Sequence, residues 1–271
     1  HVHLEGSIPL ATLWELVTKY GGDPSTPDMA ALRRKFVYRD FPHFLATWRW
    51  QMGFLREYDD FTLIAEAVAN DFARQNIQYA EAFYSPGDCK RHGLDTLPVT
   101  EAIRAGLDRV PSVEVKLVTD LVRNYGPERG AMTLSEIREA RSLRVIGIGI
   151  GGHEAGHPAT SFADVYADAR DMGFRTSAHA GEGAGPDSVW GAVRDAGAER
   201  IGHGTRAAED ERLLDYLAEH HIPIETCPIS NVKTAVIPSV AAHPIREFLA
   251  RGIAVSVNTD DPAMFGNSLA D

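Results

Sequence analysis

The chain has 271 residues, 44% of them apolar, and a formal net charge of -11 at pH 7. This composition supplies a large folded core and excludes a disordered chain, while the acidic balance, with no Lys/Arg-rich run, excludes a polynucleotide partner and favours a small uncharged substrate. No apolar run approaches the roughly 18 residues of a membrane span and no basic-then-apolar leader is visible, so a cytoplasmic protein without a membrane partner is expected.

Short β-rich runs, each followed by a helical pattern, are predicted at residues 1–4, 77–84, 113–121, 145–150, 174–180, 200–202, 223–227 and 253–258. Most are near-continuous apolar stretches, as parallel strands covered on both faces require. Residues 21–60, between the first run and the second, read as a mostly helical insertion, longer than one crossover needs, that roofs the site. Within it Trp48, Trp50 and Phe54 recur at helical spacing and are assigned to helix packing rather than to a pocket lid. Later helices are marked by Phe162, Val165, Tyr166 and Ala169, by Leu213, Leu214 and Leu217, and by Ile245, Phe248 and Leu249, the last ending at Gly252. Strand and helix alternate eight times without a linker, which predicts one α/β domain, a (β/α)8 TIM barrel over residues 1–271. The first strand opens at His1 and no eighth helix follows, so a barrel trimmed at both ends is expected.

Reactive groups in such barrels sit at the carboxyl ends of strands, and the unusual polar residues here fall there. His1 and His3 are two apart on a strand, so both imidazoles face one side and can reach one metal ion. His179-Ala180-Gly181-Glu182 closes the fifth run. The eighth ends in Asp260-Asp261, adjacent carboxylates beside an apolar strand that a cation would make tolerable. Glycines flank His203 and allow close backbone approach. Gly147, Gly149, Gly151 and Gly152 lack the pattern of a phosphate cradle and are read as a wall of exposed N–H groups. Cys89 and Cys227 form no CxxC pair and are expected to be buried small hydrophobes, while His43, His92, His220, His221 and His243 are assigned to the surface or to caps.

Together, His1-Val2-His3-Leu4-Glu5-Gly6-Ser7, His179-Ala180-Gly181-Glu182, Gly202-His203-Gly204 and Asn258-Thr259-Asp260-Asp261-Pro262 closely resemble the adenosine deaminase family, in order and in strand position. The resemblance implies one zinc ion per chain held by His1, His3, His179 and Asp260, lowering the pKa of a bound water from about 16 towards about 7. It further implies that His203 orients that water, takes up its proton and stabilises the oxyanion at C6, that Glu182 protonates ring N1, that Asp261 pairs with N7 and that Gly152 offers its N–H to N3. Residues 144–152 contain no lysine or glutamate to bridge two cations, consistent with a single metal. His3-Leu4-Glu5 also matches the HxE of cytidine-type deaminases, but their PCxxC partner is absent.

Adenosine enzymes of this family usually carry Asp, a contact to the ribose 5′-hydroxyl, where this chain has Glu5, and the stretch His153–Pro158 departs towards adenine-type relatives. The expected reaction is therefore deamination of adenosine or adenine, with a modified nucleoside such as aminodeoxyfutalosine, or another barrel hydrolase reaction, as the alternatives.

Overall fold

The computed structural model describes residues 1–270. Its strands are β1 (Val2–His3), β2 (Tyr79–Tyr84), β3 (Glu114–Val122), β4 (Val145–Gly151), β5 (Arg175–Ala180), β6 (Arg200–His203), β7 (Ile224–Thr226) and β8 (Val255–Val257). Every boundary lies within two residues of the predicted run. The strands pair in parallel in sequence order. Val2 pairs in parallel with Asp260, just past β8, and so closes the sheet. The result is a (β/α)8 barrel. Leu117, Ile148, Ala178, Ile201 and Ile224 on its strands are fully buried, as coverage by helices demands.

Four helices fill the segment between β1 and β2: α1 (Leu10–Lys19), α2 (Met29–Lys35), α3 (Phe41–Met52) and α4 (Tyr58–Arg74). Asp28 and Asp40 start α2 and α3 by accepting the N–H groups of Ala31 and His43 at 2.7 and 2.9 Å. The roof is fastened by aromatic packing, because Phe44 on α3 stacks on Phe265 beyond β8 with ring centroids 5.1 Å apart.

Of the three helical stripes, those of Phe162–Ala169 and Leu213–Leu217 are buried in full. The third differs. The helix Ile245–Ala250 has six residues, and only Phe248 points into the core while Leu249 is 58% exposed. Gly252 follows with φ +77° and donates its N–H to the Leu249 carbonyl, as a C-terminal cap should. Cys89 and Cys227 are both buried thiols. Among the described residues no helix is long and apolar enough to cross a membrane.

Asp60 ties α1 to α4 within the segment between β1 and β2. Its buried carboxylate accepts from Lys19 Nζ at 2.6 Å, Tyr20 Oη at 2.5 Å and the N–H groups of Arg56 and Glu57 at 2.9 and 3.0 Å. Asp60→Ala strands these donors and is expected to cost about 2–3 kcal/mol in urea unfolding; a cost below about 0.5 kcal/mol would show that α1 and α4 are held otherwise.

Candidate active site

Barrel closure brings the first and last strands together at the rim. His1 precedes β1 and His3 ends it, His179 is the penultimate residue of β5, and Asp260 follows β8. His179 Nε2 lies 3.1 Å from His1 Nε2 and 3.0 Å from His3 Nε2. Asp260 Oδ1 is 3.6 and 3.4 Å from the same two nitrogens. Glu225 on β7 accepts a hydrogen bond from His1 Nδ1 at 2.8 Å, leaving Nε2 as the nitrogen that faces the cluster. Three nitrogens and one carboxylate oxygen converging this closely fit a tetrahedral metal site.

His203 belongs to the same knot, since one nitrogen each of His1, His179 and His203 and one oxygen of Asp260 lie within 4.8 Å of one another. Its hydrogen bonds give it a different task. The Thr205 hydroxyl donates to Asn231 Oδ1 at 2.8 Å, which turns the Asn231 amide NH2 towards His203 Nδ1 at 3.1 Å. Nδ1 then accepts, so Nε2 carries the proton and points at Glu182 Oε2, 3.6 Å away. A ring nitrogen that carries a proton donates a hydrogen bond; in this tautomer it does not bind a metal, nor does it take up the proton of a water, the step that the resemblance implies.

The environment separates the ionisable groups. Burial pulls His179 well below the usual histidine range and takes His3 to about 3 and His203 to about 4, so all three are neutral. Burial opposes protonation of His1 as well, but hydrogen bonds to Asp260 and Glu225 outweigh it and raise the pKa to about 10. Burial would raise Asp260, but the imidazoles of His203, His1 and His3 packed around it, with a hydrogen bond from His1, hold its carboxyl well below the usual range. The Ser230 hydroxyl also donates to its Oδ2 at 2.6 Å. Glu182 and Asp261 go the other way. Burial and the charge of Asp260 push both well above the usual carboxyl range, which favours their protonated forms.

Glu182 sits in a loop that the sequence reading left without support. The buried carboxylate of Glu154 accepts four consecutive backbone N–H groups, from Gly181 (2.6 Å), Glu182 (3.1 Å), Gly183 (2.6 Å) and Ala184 (3.0 Å). On the other side Arg123, fully buried at the end of β3, donates to the carbonyls of His179, Ile150 and His157. It thereby bridges β4 and β5 beyond Ile148–Thr176, where their pairing ends. Two sites of backbone strain lie in the same region: His203 and Asp260 both adopt φ of +62°. Gly202 supplies the close approach expected beside His203, since a Cβ there would lie 2.6 Å from His1 Cε1.

A cleft opens over the cluster, lined by Glu182, His203, Asp260, Asp261, Gly151 and Gly152, with Ser85, Asp88 and Asp120 on the far wall and Phe41, Phe44 and Trp48 of α3 above. The insertion thus roofs the site as predicted. Trp48 departs from its assignment: it faces the cleft and donates to Asp88 Oδ2 at 3.2 Å, while Trp50 and Phe54 pack on each other at 5.1 Å. Glu5 lies behind the wall, fully buried, with Oε1 accepting the Ser85 N–H at 2.8 Å. His157 contributes its carbonyl to Arg123 and does not line the cleft, and His243 caps a turn by accepting the Ile245 N–H at 3.1 Å.

The family model described as adenosine deaminase matches residues 1–271. The chain belongs to the adenosine deaminase family. It is 39% identical to the adenosine deaminase of Edwardsiella ictaluri over 99% of this chain and 83% of that protein. It is 36% identical to the aminodeoxyfutalosine deaminase of Streptomyces avermitilis, over 99% of this chain and 76% of that one. Among solved structures, the adenine deaminase of Arthrobacter aurescens superposes with a TM-score of 0.91 at 29% identity, covering 100% of this chain and 84% of that chain. The protein is therefore an aminohydrolase enzyme acting on purine-type substrates.

Two side chains outside the motifs are expected to matter to it. Glu225→Ala removes the partner of His1 Nδ1 and is expected to weaken metal binding about 10- to 100-fold in chelator competition; unchanged affinity would remove Glu225 from the site. Glu154→Ala releases four amides and is expected to lower kcat about 100-fold at unchanged metal content. The same change should cost nothing further in a Glu182→Gln background, and an equal additional loss there would show that Glu154 acts elsewhere.

Proposed function

We propose that this protein is a zinc-dependent deaminase that hydrolyses the 6-amino group of a 6-aminopurine, with one zinc ion held by His1, His3, His179 and Asp260. Bound there, the metal would activate the attacking water as a Lewis acid. The observation that carries the reading is the pattern of donors. A 6-aminopurine offers lone pairs at N1, N3 and N7, and the cleft offers three groups able to donate: protonated Glu182, the Gly152 backbone and protonated Asp261. A pyrimidine or cyclic amide has no acceptor equivalent to N7 and leaves Asp261 without a use.

In this reading Glu182 gives its proton to N1 as water adds to C6, so the electrons of the C6–N1 bond are received on a protonated nitrogen. His203 turns Nε2–H towards the oxygen developing on C6 and stabilises it. Asp261 and Gly152 hold the ring against rotation by donating to N7 and N3. One proton of the water returns to Glu182 and the other passes to N6 as the C6–N6 bond breaks, so ammonia departs, the 6-oxopurine keeps its N1 proton and one water is consumed.

Glu182 must be protonated to act, and its pKa is raised, so turnover should persist through neutral pH and decline on the alkaline side as the carboxyl ionises. Glu182→Gln should lower ammonia release by about 10²- to 10⁴-fold, abolish that alkaline limb and leave bound zinc unchanged. Full activity in the variant would overturn the assignment of the acid.

A further inference from the structure

Asp88 and Asp120 are the acidic side chains of the cleft with no part in the chemistry above, and of the two Asp88 already accepts from Trp48 Nε1 and Tyr125 Oη. Asp120 projects from β3, is 4% exposed, and its Oδ1 is buried without any hydrogen-bond partner. The wall beside it is bare, because Gly149 and Gly151 of β4 carry no side chain and a Cβ on Gly151 would lie 2.7 Å from Asp120 Oδ2. Burial raises its pKa to about 7, Arg123 acting against this. A buried carboxyl oxygen that no protein group satisfies is costly and is not required for packing. In a substrate cleft it is accounted for by a donor that arrives with the substrate.

The order of strands identifies that donor. With the ring placed as proposed above, on which this step rests, N1 faces Glu182 after β5, N3 faces Gly152 after β4 and N7 faces Asp261 after β8. Round the purine from N1 through N3 to N7, on the side away from C6, the remaining heteroatom is N9. Round the barrel from β5 through β4 to β8 by the same path, the next strand is β3. Asp120 therefore follows Gly152 just as N9 follows N3. Nor is there a sugar contact on this arc from Glu5, which is sealed behind Ser85.

We infer that Asp120 is a specificity-determining residue that accepts a hydrogen bond from N9–H of an unsubstituted 6-aminopurine, so that the free base is preferred over its nucleosides. A 9-substituted adenine has carbon at that position and leaves the buried carboxyl unpaired.

The test measures kcat/KM of the zinc-loaded protein, wild type, Asp120→Ala and Asp120→Asn, on adenine, 9-methyladenine and adenosine by ammonia release. The wild type should favour adenine over both 9-substituted compounds by at least about 100-fold. Asp120→Ala should lose about 10- to 100-fold on adenine, mostly in KM, with no loss on 9-methyladenine, and Asp120→Asn, which keeps an acceptor oxygen, should recover part of it. A wild type that prefers adenosine overturns the inference and leaves the deaminase reading standing. Equal losses on all three substrates in Asp120→Ala also overturn it, by reducing Asp120 to a packing role. No ammonia from any of them overturns both.

Discussion

The structure depends on a pair of backbone hydrogen bonds at the barrel seam. His3 donates its N–H to the Asp260 carbonyl at 2.8 Å, and Asp260 donates its own to the His1 carbonyl at 3.3 Å. The residues that close the sheet are the residues whose side chains form the cluster. Because alternate side chains of a strand share a face, closure in this register turns His1 and His3 inward together and sets Asp260 beside them. A register shift of one residue would send both imidazoles to the opposite face. Position on the chain is thereby converted into position in space with little help from the side chains.

A site assembled in this way is crowded with acids in a region of low dielectric, and the surroundings decide which of them ionise. Asp260 faces imidazoles and stays charged, while Glu182 and Asp261 face Asp260 and favour their protonated forms. Burial and one carboxylate thus push two other carboxyl groups towards their neutral forms, beside an anion in the same fold. Glu154 completes the arrangement by a different means, its side chain accepting four consecutive peptide N–H groups.

Much of this was legible in the sequence. Apolar runs located the strands to within two residues because parallel strands are covered on both faces, and the HxH, HAGE and Asp-Asp motifs marked strand ends because polar groups have few reasons to be there. The supporting residues were not legible from local pattern. Glu154 and Arg123 act on backbone groups of other strands, and a contact with a peptide leaves no trace in the partner's residue type. Glu225 did leave one, as a charge inside the apolar run Pro223–Cys227, and Ser230 and Asn231 follow the same strand as adjacent polar residues. In α3, helical spacing placed Trp48 and Trp50 in one stripe, yet two residues along a helix is about 200° of rotation, so one ring meets the cleft and the other the core.

The bond between His1 and Glu225 has a thermodynamic consequence. Glu225 and Asp260 together lift the affinity of the His1 ring for hydrogen ions until its pKa reaches about 10. Hydrogen ion and metal ion then compete for one nitrogen, Nε2, and loading the site is an exchange rather than a simple addition. The two carboxylates that make the pocket attractive to a dication make it attractive to acid as well, so the hold on metal is set by the acidity of the surroundings as much as by the supply of the ion.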